Sequence, residues 1–130
     1  MKLNKILIVD DSDNFRVMLK EYLEKHALAV EIFEASTGEM GVAKAACIRP
    51  DIVLMDINLP HSSGFEATKH IKGDHPNCDV IILTMFEVKV FKDMAQEIQA
   101  IDFIGKSEFN ERLVPAIKRC LESKRKNNGK

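Results

Sequence analysis

An alternation of period constrains this chain more than any other feature. Short apolar runs with no helical repeat are separated by longer stretches whose apolar residues recur every three or four positions, a pattern that argues for a parallel sheet with crossover helices. Lys5 to Val9, Val30 to Glu34, Asp51 to Met55, Val80 to Thr84 and Ile101 to Gly105 read as strands. The first, third and fourth are nearly continuous apolar runs, as expected of strands buried on both faces. Between the first two runs, Phe15, Met18, Leu19, Tyr22 and Leu23 follow the spacing of one helical stripe. Val88, Phe91, Met94, Ala95 and Ile98 form a fourth stripe, and Leu113, Ala116, Ile117, Cys120 and Leu121 a fifth. Ser36-Thr37-Gly38-Glu39 and Ser63-Gly64-Phe65-Glu66 have the form of capping boxes and should open helices two and three. The expected architecture is a three-layer (βα)5 α/β fold with a five-stranded parallel sheet in the order 2-1-3-4-5, the flavodoxin-like arrangement.

Composition limits what such a fold can serve. A chain of 130 residues with 45% apolar and 30% charged residues suits one domain with a real core and no need of disulfides or metal for stability. A formal charge of −1 argues against chain-wide attraction to nucleic acid or membrane. Cys47, Cys78 and Cys120 are odd in number and show no CxxC spacing, which suits free thiols in a reducing compartment. The apolar run of the opening MKLNKILIV ends at Asp10, too soon for a secretory signal, and no segment approaches membrane-spanning length. The expectation is a soluble, cytoplasmic protein. Its folded domain covers residues 1–123, and residues 124–130 form a polar basic tail, either a frayed helix end or the start of a linker. Pro115 is the awkward residue, because a proline past the first turn removes a helix hydrogen bond; helix five is expected to kink there or start late. His26, His61, His70 and His75 show no metal-ligand spacing and are expected on the surface.

In an open α/β sheet, ligands bind beyond the carboxyl ends of the strands where the strand order reverses. Here that crevice lies between strands one and three. Strand one ends in Asp10-Asp11 and strand three in Asp56, so three carboxylates from distant parts of the chain should converge. Repulsion among them favours proton uptake or a bound cation. An all-oxygen site that leaves room for phosphate oxygens suits Mg²⁺. Thr84 ends strand four and Lys106 follows strand five, adding a hydroxyl and an ammonium to the same rim. A carboxylate can attack phosphorus to form an acyl phosphate, so Asp56 is the expected acceptor of a phosphoryl group. Each residue also has a plainer use: Asp10-Asp11-Ser12-Asp13 suits a helix start, Thr84 suits a strand, and Phe103 suits an ordinary core. The plainer uses do not account for the whole set in its order along the chain.

That set closely resembles the receiver domain of two-component response regulators over residues 4 to 122. Asp10-Asp11 matches the acidic pair, Asp56 the phosphoacceptor, Pro60 and Gly64 the D-x-x-x-P-x-x-x-G pattern, Thr84 the hydroxyl residue, Phe103 the switch aromatic and Lys106 the lysine. The resemblance implies that Asp11, Asp56 and the backbone carbonyl of Asn58 ligate Mg²⁺ while Asp10 holds a metal-bound water. It implies that Lys106 pairs with the phosphoryl group, and that Thr84 moves toward a phosphoryl oxygen, opening space for Phe103 to turn inward and reshape the face of helix four, strand five and helix five. The implied phosphodonor is a histidine kinase or histidine phosphotransfer protein. An output domain or partner protein would read the change, and a homodimer on phosphorylation, through that face or through helices one and five, stays open. Thr84-Met85 and Lys106-Ser107 resemble the subgroup that precedes helix-turn-helix outputs, but no recognition helix is present, so this domain should not itself bind nucleic acid.

Two departures bear on detail. Ser107 stands where the family commonly has a proline after the lysine, which weakens the case for a cis peptide there. Phe86, two residues past Thr84, resembles a family position that with Asn58 tunes dephosphorylation, and its bulk points to slow loss of phosphate. Two other classes of protein fit the residues less well. A phosphohydrolase of the haloacid-dehalogenase type needs an acid two residues after its nucleophile, where this chain has Asn58. A binding module with a vestigial site would have no reason to keep the complete set.

Overall fold

In the computed structural model, residues 3–26, 28–86 and 88–128 are described, the last three by backbone alone. Five parallel strands, β1 (Asn4–Val9), β2 (Val30–Ala35), β3 (Ile52–Asp56), β4 (Asp79–Thr84) and β5 (Asp102–Gly105), form one sheet in the spatial order β2-β1-β3-β4-β5. Helices α1 (Asp13–Lys25), α2 (Gly38–Ile48), α3 (Gly64–Asp74), α4 (Lys89–Glu97) and α5 (Phe109–Asn128) connect and flank them. This is the expected (βα)5 fold.

The period of two along each strand divides the core into two layers. Leu7, Val9, Val53, Met55, Val80, Ile82 and Phe103 face one side, where Ala45, Phe65, Ile71 and Ala95 of α2 to α4 cover them. Ile6, Ile8, Ile52, Leu54, Ile81, Leu83 and Ile104 face the other, beneath Leu19 and Leu23 of α1 and Leu113, Ala116 and Ile117 of α5. Both faces are therefore dry, which explains the absence of polar alternation in β1, β3 and β4.

Several local expectations need correction. Thr37, not Ser36, caps α2, its hydroxyl accepting the Met40 amide at 3.0 Å. Glu39 then falls one residue short of the position from which it could complete a box. Ser63 caps α3 as expected, accepting from the Glu66 amide at 3.2 Å. Met18, Val88 and Met94 are exposed, so the buried stripes of α1 and α4 are narrower than their periodicity implied. Helix α5 begins at Phe109 and runs through Pro115, whose ring lies on the exposed face, where water can take the carbonyl left without a donor. It continues to Asn128, well past residue 123, while Gly129 and Lys130 of the tail lie outside the described residues. His75 is buried rather than on the surface; it follows α3 and donates its amide to Ile71 O, and Pro76 after it holds the backbone extended. Cys47, Cys78 and Cys120 are free, the last two buried, and burial pushes both of those thiols up to about 12. Among the described residues no helix is long and apolar enough to cross a membrane.

The loop after β3 is the tightest part of the fold. Asn58–Leu59 pairs antiparallel with Ser62–Ser63 around Pro60 and His61, the latter at φ 65°. The chain then folds back so closely that Gly64 donates to Ile57 O at 2.8 Å. A Cβ at Gly64 would lie 2.0 Å from the carbonyl oxygen of Asp56. Gly64→Ala should therefore lower the urea midpoint by the equivalent of about 3 kcal/mol. Gly73→Ala, whose Cβ meets nothing within 4 Å, should leave it unchanged or raise it.

Candidate functional site

Strand register brings the chemical residues to one edge in a staircase. Val9 pairs with Met55, so Asp10 lies level with Asp56. Asp56 pairs with Leu83, which puts Thr84 one step further. Thr84 in turn pairs with Gly105, and Lys106 follows. Carboxylate oxygens of Asp10, Asp11 and Asp56 all lie within 4.8 Å of one another. Asp10 and Asp56 are buried, at 2% and 5% exposure, while Asp11 is exposed.

Lys106 supplies the local counter-charge. Its ammonium sits 2.7 Å from Asp10 Oδ2 and 3.5 Å from Asp56 Oδ2. Backbone amides hold the other oxygens: Ser12 N–H donates to Asp10 Oδ1 at 2.8 Å, and Asn58 N–H reaches Asp56 Oδ1 at 3.4 Å. Arg16 donates to the carbonyl of Asp10 and pairs with Asp13 and Glu34. Burial, and next the charge of Asp10, raise the Asp56 carboxyl above the ordinary range, with Lys106 and the Asn58 amide acting in the opposite direction. The cluster is an electron-rich pocket of oxygen ligands with one ammonium at its wall.

Thr84 is fully buried, and its hydroxyl accepts the Phe86 amide at 3.0 Å. Phe103 lies on the same sheet face, its ring buried in the core. Asn58 and Phe86 are exposed, and Phe86 is bonded through its amide to Thr84. The Lys106–Ser107 peptide is trans.

The family model of the response regulator receiver domain matches residues 6–118. This chain belongs to that family. The receiver domain is 35% identical over 113 residues to chemotaxis protein CheY of Thermotoga maritima, covering 87% of this chain and 93% of that one. It is 30% identical over 121 residues to response regulator GacA of Pseudomonas syringae, covering 93% of this chain and 56% of that protein. A protein-glutamate methylesterase/protein-glutamine glutaminase of Geobacillus kaustophilus is 34% identical over 107 residues, 82% of this chain but 31% of the enzyme. The chain thus spans nearly all of one curated relative and about half or a third of the others. Among solved structures, a CheY-like receiver domain protein from Methanospirillum hungatei superposes with a TM-score of 0.87 at 28% identity, covering 97% of this chain and 99% of that one. Membership makes the receiver a phosphoryl-accepting module of two-component signalling.

Every site residue chosen from the sequence lies at this edge or directly behind it. Phe15 and Arg16 were missed. Arg16 braces the Asp10 backbone, and Phe15, part of the expected apolar stripe of α1, has its ring beneath the Lys106 ammonium. Only three-dimensional proximity reveals either role.

The raised carboxyl of Asp56 has a consequence for stability. A group whose folded pKa lies above its unfolded value contributes stability below the unfolded value and loses it as pH rises through the folded one. Ionised Asp56 therefore costs stability at neutral pH. Asp56→Asn should unfold at higher urea than the parent at pH 7, and the difference should shrink on titration to about pH 4.

Proposed function

We propose that Asp56 is the phosphoacceptor of this receiver and that Asp10, Asp11, Thr84 and Lys106 serve its phosphorylation. The observation that carries this is geometric: the buried Asp56 carboxylate lies 3.5 Å from the Lys106 ammonium and within 4.8 Å of carboxylate oxygens of Asp10 and Asp11, at the carboxyl edge of the sheet where Thr84 ends the neighbouring strand. A carboxylate oxygen of Asp56 attacks phosphorus, and the P–N bond of a phosphohistidine breaks with its electron pair leaving on the imidazole, which takes up a proton. The product is an acyl phosphate. Lys106, already bridging Asp10 and Asp56, moves only a short way to a phosphoryl oxygen.

Three carboxylates face one ammonium, an imbalance that fits a hard dication. Asp11, Asp56 and the Asn58 carbonyl are the groups that would hold Mg²⁺, with Asp10 on a metal-bound water. The ion supplies charge neutralisation at the phosphoryl oxygens. The Thr84 hydroxyl accepts the Phe86 amide and keeps its own proton to donate to a phosphoryl oxygen. Movement of Thr84 with the Met85–Phe86 backbone then frees Phe103 to repack, and phosphorylation shifts the population of the α4, β5 and α5 face.

The phosphodonor is a histidine kinase or histidine phosphotransfer protein in the cytoplasm, and the reader is an output domain or partner protein. The domain is a switch rather than a phosphohydrolase, since Asn58 cannot supply the proton a leaving group needs. Incubation with acetyl phosphate and Mg²⁺ should label the parent. Asp56→Asn should lose the label at least about ten-fold, as should treatment with a chelator. Equal labelling of parent and Asp56→Asn overturns the reading. Phe86, half-exposed beside Thr84, shields the phosphoryl group from water. Phe86→Ala should accelerate loss of phosphate several-fold, read as the decay rate after donor removal.

A further inference from the structure

Lys106 has a third neighbour that neither the strand register nor the phosphoryl chemistry requires. Its ammonium lies 4.2 Å from the ring centroid of Phe15, a residue of α1. With Asp10 at 2.7 Å and Asp56 at 3.5 Å, the cation is caged by two carboxylates and one aromatic face. The lysine side chain is only 12% exposed, and a cation so desolvated gains more from a ring than one at a wet surface. The ring itself is held in place. Phe109 packs edge-on against Phe15 with centroids 5.8 Å apart and planes at 76°. Tyr22 stands edge-on to Phe109 at 5.0 Å and donates its hydroxyl to Asn110 O at 3.0 Å. Phe109 opens α5, immediately after the 3₁₀ turn Lys106–Glu108, so the ladder that orients Phe15 also fixes the turn carrying the lysine.

We propose that Phe15 is a positioning residue for Lys106, keeping the ammonium poised between Asp10 and an incoming phosphoryl group; this rests on the reading of Asp56 as phosphoacceptor. Without the ring, the cation has only carboxylates as counter-groups, and the short contact to Asp10 holds it on that side. An aromatic face attracts a cation without a directional bond. The ammonium can therefore exchange Asp10 for a phosphoryl oxygen while staying over the ring. A leucine fills similar space and offers no such attraction.

Two readouts test this on the full chain. The first needs no phosphodonor: in proton NMR, the Lys106 methylene resonances are shifted upfield by the Phe15 ring, and the shift disappears in Phe15→Leu. The second is the initial rate of labelling by acetyl phosphate with Mg²⁺. Phe15→Leu should slow it roughly three- to ten-fold, while Phe15→Tyr and Phe15→Trp keep it near the parental rate. Stepwise fluorination of the Phe15 ring, which drains its face at nearly constant shape, should lower the rate step by step. In a Lys106→Met background Phe15→Leu should add no further loss. A rate indifferent to fluorination, or a Phe15→Leu effect of equal size with and without Lys106, overturns the proposal and leaves Phe15 as core. A parent that takes no label on Asp56 overturns the phosphoacceptor reading instead; the NMR shift then still decides whether Phe15 holds Lys106, and its absence overturns that placement.

Discussion

The buried Asp56 carboxylate sets the terms for the rest of this structure. It stands at 5% exposure within reach of two other acids, a placement that costs free energy unless positive charge and hydrogen-bond donors are supplied nearby. Lys106 and the Asn58 amide supply part of that compensation, and the raised carboxyl shows that they leave part of it unmet. A site left electron-rich in this way favours a cation, and on the proposed function that cation would reduce the repulsion met by an incoming phosphoryl group.

Such a balance depends on distances the sheet must set. The staircase from Asp10 through Asp56 and Thr84 to Lys106 follows from three register pairs, and a slip of one residue in any strand would turn a site residue into the core. Register is protected because both sheet faces are apolar and covered, so no strand can slide without exposing residues on one side or burying acids on the other. Gly64 performs the same service for the loop: its missing Cβ lets the start of α3 lie against the Asp56 carbonyl. Stability and chemistry are here two uses of one geometry.

Most of this was legible in the sequence because it depends on period and on strand ends. Short apolar runs without a helical repeat located the strands to within a residue or two, and residues just past a strand end in an α/β sheet have little choice of where to go. What escaped depended on smaller differences or on contacts distant in sequence. Ser36 and Thr37 are adjacent hydroxyls, and only the end of β2 decides which one caps α2. Met18 fits the α1 period but is exposed, so the stripe that packs is narrower than the period alone implies. Pro115 is tolerated because it falls on the solvent side of a long helix, and a residue's facing is settled by packing rather than by its identity. The Lys106–Phe15 contact joins residues 91 positions apart, and no local pattern encodes it.

The unequal anchoring of the elements gives direction to any change at the site. Helix α4 buries only Ala95 fully, with Phe91 and the Ile98 that follows the helix packed partly, whereas α5 buries five side chains between Leu113 and Cys120. Exposed Met85, Phe86, Val88 and Val90 lead into α4 from Thr84. Moving the Thr84 hydroxyl to a new acceptor disturbs its bond from the Phe86 amide, a loss of about 1 kcal/mol that a charge-assisted bond to phosphate offsets. The disturbance passes first into the segment with the least to lose. Lys106 lies on the opposite side of the crevice, tied through its turn to α5 and through Phe15 to α1, both firmly packed. On the proposed reading, a phosphoryl group gripped by both residues would be held against a rigid wall by the lysine while it pulled on a loose one through the threonine, and the loose wall would be the one to move.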